Sequence, residues 1–257
     1  MQLHRFYLPP EKCRGDVLQL DGQEARHALR VLRLRLGDDA IVLDGGGSEF
    51  FCKVEAASRD SLSLRVNKKT FVPPPACSIT LFVGIPKGKI IESIIQKSVE
   101  LGARRIVPLL TERVVMRLDD EGAEHKREQW QQTAIEAMKQ CGTAWLPEIE
   151  EPASVQDFLA RKEKLDLQLV GSLQKERQHP REVFREYEKA NGHLPKSAAV
   201  WIGPEGDFTP DELKAIQDAG AYPISLGNLV LRVETAAVYC LSILNYELNS
   251  STPAKQP

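Results

Sequence analysis

Two stretches of the chain combine glycine, proline and charge as ligand-binding loops do. The first reads Trp201-Ile202-Gly203-Pro204-Glu205-Gly206-Asp207-Phe208, and the second Leu226-Gly227-Asn228-Leu229-Val230-Leu231-Arg232-Val233-Glu234-Thr235-Ala236. Each follows a run with strand character. In an open α/β sheet, ligands bind beyond the carboxyl ends of the strands, which is where both loops fall. Gly203 and Gly206 carry no Cβ, so their backbone N–H and C=O groups can come close to a flat group such as a purine. Ordinary strand-to-helix turns would use the same residue types, and spacing alone leaves both readings open. The sequence contains neither GxGxxG nor GxxxxGK[ST], so no known phosphate loop matches.

Other chemistries find little support. The five cysteines (Cys13, Cys52, Cys77, Cys141 and Cys240) are scattered and never spaced as CxxC, which argues for core thiols over disulfides or a zinc knuckle. The five histidines show no HxH or HExxH spacing, so metal-free chemistry is the expectation. With 42% hydrophobic and 27% charged residues, the 257-residue chain can bury one large core or two moderate ones. No run of eighteen apolar residues occurs, and residues 1–10 lack the apolar stretch of a signal peptide, which predicts a cytoplasmic protein without a membrane span.

The elements that must position the two loops fall into two textures, divided at Pro73, Pro74 and Pro75. Up to the run the chain carries 12 Lys and Arg against 10 Asp and Glu; from Pro74 onward it carries 22 against 26. The front half is only mildly basic, too little by itself to prove a nucleic-acid partner. Residues 16–20, 40–43, 49–54 and 61–66 read as short strands of a small β-barrel. Between the first two, residues 23–32 have helical spacing that puts Arg26, Arg30 and Arg33 together on one face. Asp44, Gly45, Gly46 and Gly47 suit a hairpin turn. After the prolines, strands near 79–85, 105–109, 165–171, 198–203 and 222–226 alternate with helices near 89–101, 123–141, 209–219 and 234–248, which predicts a parallel sheet covered by helices. The long helix is expected to place Trp130, Ala134, Met138 and Cys141 on one face. The last helix is apolar on most sides, so Ala236, Ala237, Cys240, Leu241 and Leu244 belong either to the core or to a contact with a second subunit. Residues 251–257 read as a frayed tail.

The pair GPEGDFTPDE and LGNLVLRVETA, with Lys97, Glu100-Leu101-Gly102, HRFYL and HALRVLRLRLGD, resembles the RsmE family of 16S rRNA (uridine-N3) methyltransferases in the SPOUT superfamily. The resemblance spans nearly the whole chain. It implies a PUA-like β-barrel for RNA at residues 1–72, an α/β domain with a deep trefoil knot at 73–250, S-adenosylmethionine as cofactor, small-subunit rRNA or the assembled subunit as substrate, and a homodimer. Carried over by position, the cofactor loops are Ile202, Gly203, Pro204, Glu205 and Gly206, then Leu226, Gly227, Leu231 and Arg232.

Methyl transfer is an in-line displacement, so the enzyme has mainly to align a deprotonated uracil N3. Negative charge then spreads onto O2 and O4, where an arginine stabilises it; Arg232 is the candidate, with a structural pairing to Glu234 or Glu205 as the alternative. RNA contact is assigned to Arg5, Arg26, Arg30, Arg33 and Arg35, which position phosphates, and to Arg113 and Gln140 on the substrate side. A charge run of this kind also suits a plain solvated face.

Departures from the family pattern stand at Asp207, where a glycine is usual, and at Leu229 and Thr143, where arginines are frequent. Two guanidinium groups are therefore missing, which leaves open a SPOUT enzyme acting on another nucleotide or on tRNA. A non-catalytic RNA-binding assembly protein and a Rossmann-type nucleotide enzyme are the remaining classes; Gly203, Gly206, Gly227 and Arg232 argue against the first and the missing glycine fingerprint against the second.

Overall fold

The computed structural model describes residues 3–114, 120–174 and 176–250; the tail expected at 251–257 lies outside them. The chain forms two compact units, one of Met1–Pro74 with Ile135–Leu146, the other of Pro75–Ala134 with Pro147–Pro257.

The first unit is built from β1 (His4–Tyr7), β2 (Val17–Asp21), α1 (Gly22–Arg26), β3 (Asp39–Leu43), β4 (Ser48–Ala57) and β5 (Ser61–Phe71). Its sheet runs β1-β3-β4-β5-β2, antiparallel except for the parallel β1–β3 pair. The register of β4 on β5 shifts at Phe51/Cys52 and Val54/Ala56, and such bulges bend a strand. The sheet is therefore rolled into a half-barrel: Phe6 from one edge and Leu18 and Leu20 from the other meet Val42, Phe50, Val54, Leu62 and Leu64 in one core. Strand β1 pairs with β3 only because the chain folds back on it, a long-range partnership to which its four residues give no local clue.

Two expectations about this unit need correction. The helix does not run on to Arg33. After Arg26 it widens into a π turn over His27–Val31, where Leu32 N–H reaches the His27 carbonyl at 3.0 Å, and Arg33 takes a left-handed φ of 56°. The cause is Leu34. Its N–H closes on the Ala28 carbonyl while its side chain enters the core, and the chain must reverse at Arg33 to put it there. Nor are all the cysteines core thiols, since Cys141 is exposed. Burial pushes the thiols of Cys52, Cys77 and Cys240 up to about 12 and, with Asp44 adding to it, that of Cys13 to about 11, so these four stay protonated and unreactive.

The expected hairpin turn is present. Asp44 accepts from the Gly46 and Ser48 N–H groups at 2.8 Å each, and Gly45 and Gly47 supply φ values of 71° and 99°. Residues of the same unit far along the chain pair with this turn: Gly47 N–H donates to the Ala144 carbonyl and Leu146 N–H to that of Gly45.

The second unit contains β6 (Ser78–Gly84), α2 (Ile90–Glu100), β7 (Arg105–Leu109), α3 (Asp120–Cys141, whose last turns belong to the first unit), β8 (Glu148–Ile149), α4 (Val155–Ala160), β9 (Leu167–Gly171), α5 (Pro180–Asn191), β10 (Ser197–Ile202), α6 (Pro210–Asp218), β11 (Ala221–Ile224) and α7 (Val233–Asn249). All its strand pairs are parallel, in the order β11-β9-β10-β6-β7-β8. Counted within this unit the strands stand in the order 6-4-5-1-2-3, a sheet with crossovers of the kind implied by the resemblance to knotted SPOUT enzymes. After β11 at the sheet edge, the chain returns to lay α7 against α2, β6 and β10. That return buries Ala236, Ala237, Cys240, Leu241 and Leu244, so these residues are core within one chain.

Strand β10 is held by Trp201, fully buried and stacked on Phe82 with ring centroids 3.8 Å apart. Its indole N–H donates to Gln168 Oε1 at 3.1 Å, and Gln168 in turn donates to the Ala219 carbonyl, so the buried amide is satisfied. Truncating such a ring costs about 3–5 kcal/mol. On α3, Trp130, Ala134 and Met138 are buried as the spacing predicts.

Gly47 gives the fold a direct check. A Cβ there would lie 2.7 Å from Trp145, 2.8 Å from Phe71 and 2.9 Å from the Val72 carbonyl oxygen, at a φ that side chains avoid. Gly47→Ala is expected to cost about 2–3 kcal/mol, read as a lowered urea midpoint with an unchanged denaturant slope.

Candidate functional site

The two glycine-bearing loops leave β10 and β11 at their carboxyl ends and line one cavity of about 440 Å³. The first loop is a tight turn closed by Asp207 N–H on the Pro204 carbonyl at 2.9 Å. Asp207 stands at φ 61°, the left-handed region that a glycine would enter without strain. Its own side chain compensates: Oδ1 accepts from Phe208 N–H at 2.8 Å, the local bond that lets Asp tolerate this conformation. The departure at Asp207 thus leaves the loop geometry intact. Gly203 is required by packing, because a Cβ there would meet Asp207 Oδ1 at 2.9 Å and Phe208 N at 3.0 Å.

Neighbouring segments brace the turn. Glu205 accepts from Lys87 N–H at 3.0 Å. At the end of β6, Gly84 lets Pro204 lie where a Cβ would sit 2.5 Å from its ring. From the segment after β7, Arg113 donates to the carbonyls of Gly206 and Phe208. The reverse tie is Glu212, a buried carboxylate: one oxygen accepts from Glu112 N–H at 3.0 Å, the other from Thr209 N–H at 2.9 Å in the capping box that starts α6. Each bond places a backbone strand relative to the first loop.

The second loop is anchored only at its start, where Gly227 N–H donates to Ser225 Oγ and Ser225 N–H to the Gln178 carbonyl. Beyond that, the backbone groups of residues 228–231 have no partner among the described residues, and Leu229 and Val230 are each 78% exposed. Ile90, Ile202, Pro204, Leu226, Leu231 and Val233 give the cavity an apolar lining. A concave, largely apolar site with a few polar groups and uncommitted backbone amides fits a nucleoside with a short polar arm. Among the described residues no cluster of His, Cys, Asp and Glu is arranged to hold a metal ion.

Ile202, Gly203, Pro204, Glu205, Leu226, Gly227, Leu231 and Arg232 line this cavity together. Gly206 does not; it faces Arg113, whose side chain would meet a Cβ there at 3.2 Å. Arg232 is the exposed N-cap residue of α7, and among the described residues it pairs with neither Glu205 nor Glu234.

The residues assigned to RNA contact scatter more. Arg26 and Arg30 share a concave surface with Gln23, His27 and Lys139, whereas Arg33 and Arg35 lie beyond the helix, past the reversal. The Arg5 guanidinium packs on Gly142, where a Cβ would come within 2.8 Å. Gln140 is exposed one residue after Lys139. Burial works against the Lys139 charge, but hydrogen bonds to Glu136 and Glu24 outweigh it and hold the ammonium above its ordinary range.

Sequence reasoning missed Glu212, Arg177 and Ile90. Only Glu212 carried a signal, as the fourth residue of the capping pattern Thr209-Pro210-Asp211-Glu212.

Comparison with known proteins agrees with this geometry. Residues 73–245 match a model described as an RNA methyltransferase domain, and residues 20–67 one described as an RNA methyltransferase PUA domain. The chain is 32% identical over 239 residues to the ribosomal RNA small subunit methyltransferase E of Bacillus subtilis, covering 91% of each. Among solved structures, a putative methyltransferase of Legionella pneumophila with bound cofactor SAM superposes with a TM-score of 0.85 at 32% identity, covering 96% of this chain and 98% of that one. The ribosomal RNA small subunit methyltransferase E of Neisseria gonorrhoeae, bound to S-adenosyl methionine, gives 0.84 at 25% identity, covering 98% and 100%.

The first loop supplies its own test. Asp207→Gly is expected to keep stability within about 1 kcal/mol, while Asp207→Val, which has no local acceptor and a branched Cβ, loses about 2 kcal/mol; urea denaturation of the two variants measures the difference.

Proposed function

The chain belongs to the RsmE family of SPOUT RNA methyltransferases, and from that premise we propose that it methylates N3 of a uridine in small-subunit 16S rRNA, with S-adenosylmethionine as methyl donor. The observation that carries the reading is the cavity enclosed by the two loops, with Arg232 at its edge. The donor supplies an electrophilic methyl on a sulfonium. The apolar lining lowers the polarity around the bound donor, which strengthens charge interactions made against it. Arg232, uncommitted to any described carboxylate, meets the charge that develops on the uracil oxygens once the N3 proton has left. Ile202, Gly203, Pro204, Glu205, Leu226, Gly227 and Leu231 hold the donor; Gly206 supports them from behind through Arg113.

The proposed division of labour places RNA anchoring in residues 1–72 together with the segment 135–146 that completes their unit, and transfer in the remainder of residues 73–250. Arg26 and Arg30, exposed side by side, are the leading phosphate contacts, with Arg5, Arg33, Arg35, Arg113 and Gln140 as further candidates. A homodimer completes the reading. Its support is α7, whose inner face is filled within one chain while Tyr239 and Tyr246, seven residues apart, remain exposed on the outside. No described helix is long and apolar enough to cross a membrane, and a ribosomal substrate agrees with a cytoplasmic location.

Labelled-methyl transfer to small subunits lacking uridine-N3 methylation, followed by mass mapping of the nucleoside, is expected to give 3-methyluridine; another methylated nucleoside would reassign the target. Arg232→Ala is expected to lower kcat by about 10²–10³ at saturating cofactor. Replacing Arg26 or Arg30 by Ala is expected to reduce the slope of log affinity against log salt by about 0.7–0.9. Tyr246→Glu is expected to shift the sedimenting species from dimer to monomer.

A further inference from the structure

The cavity lining holds two ionised side chains that the reaction above leaves unused, Arg177 and Glu234. Arg177 is half-buried, and one of its guanidinium nitrogens donates to the Ser172 carbonyl at 3.1 Å, which fixes the planar fork and leaves its other N–H groups without a described partner. Glu234 is half-buried in the first turn of α7. Two other carboxylates line the cavity and both are engaged, Glu205 by Lys87 N–H and Asp207 by Phe208 N–H. Glu234 has no such partner among the described residues, and it does not pair with Arg177. Partly buried charges of opposite sign that do not neutralise each other suit a ligand that carries the complementary pair.

We propose that Arg177 and Glu234 form a zwitterion clamp: the anchored guanidinium takes an α-carboxylate and the Glu234 carboxylate an α-ammonium, so that the cavity selects nucleosides bearing an amino-acid arm. The clamp rests on the methyl-donor reading of the cavity. Arg232, the other cation of the lining, is exposed and has no protein anchor. It is therefore less preorganised for this role than Arg177.

Calorimetric titration of the full chain tests the clamp without turnover. The probes are S-adenosylhomocysteine, which has the arm but no sulfonium, and methylthioadenosine, which has the same nucleoside and no arm. The wild-type chain is expected to prefer the first by about tenfold or more. Arg177→Ala and Glu234→Gln are each expected to cut that preference to about threefold or less, while methylthioadenosine, which also reports folding, binds as before. A second arm needs no variant: decarboxylated S-adenosylmethionine is expected to bind wild type about tenfold more weakly than S-adenosylmethionine.

Equal wild-type binding of the two nucleosides overturns the clamp, as does a preference that survives both substitutions or one that disappears only in Arg232→Ala. Failure of wild type to bind any of the four nucleosides would instead sink the methyl-donor reading itself.

Discussion

Glu212 is 1% exposed, and a carboxylate at that depth is tolerable only while both oxygens keep their donors. Its donors are the backbone N–H groups of Thr209 and Glu112, one at the start of α6 and one in the segment after β7. The two segments are therefore fixed relative to each other by one side chain. Arg113 repeats the tie in the opposite sense, a side chain of the β7 segment held by carbonyls beside the first loop. Between these two bonds the turn at residues 203–207 has little freedom, and Gly84 removes what remains by letting Pro204 lie against the end of β6. The first wall of the cavity is braced because a buried carboxyl group cannot be left half satisfied.

The second loop contrasts with the first. It leaves the sheet edge with two hydrogen bonds at its start and then runs through residues whose backbone groups the described protein does not use. One wall is thus prebuilt and the other retains free donors and acceptors. Such a pair suits a cofactor that must be gripped and released in each cycle, since the ordering cost falls on one loop only. The exposed Leu229 and Val230 lie on the adaptable side, where the sequence also departs from the usual arginine. Whatever covers them, a partner subunit or the RNA, meets an apolar surface in place of a guanidinium.

Much of this was legible before any coordinates. Most of the strands and helices after the proline run announce themselves by periodicity and by caps, as at Thr209 and Gly102, whereas β8 and α4, at two and six residues, are too short to show a period. The loops Ile202 to Glu205 and Leu226 to Arg232 were located by glycine placement after strands. What stayed hidden depends on distant parts of the chain. The spacing of Arg26, Arg30 and Arg33 is helical, yet the demand of the core for Leu34 breaks the helix, and no local rule ranks that demand above periodicity. Arg177 comes to the cavity because Gln178 pairs with Ile224 at the end of β11. The parallel β1–β3 pair and the knotted path share that cause: sequence patterns report faces and ends well, and threading poorly.

The half-barrel draws a piece of its structure from residues 135–146. Ala144 and Leu146 complete the hydrogen bonding of the turn at Gly45 and Gly47, and Trp145 forms a bridge with Gly46 while its indole N–H holds the Val72 and Pro73 carbonyls. This bears on how such enzymes can exchange parts over evolutionary time. A segment ending at the prolines would arrive in a new host with its hairpin edge unpaired and Trp145 left behind. Recombination would need two crossovers to move a working module, so the front sheet and the middle of the chain are inherited as one piece.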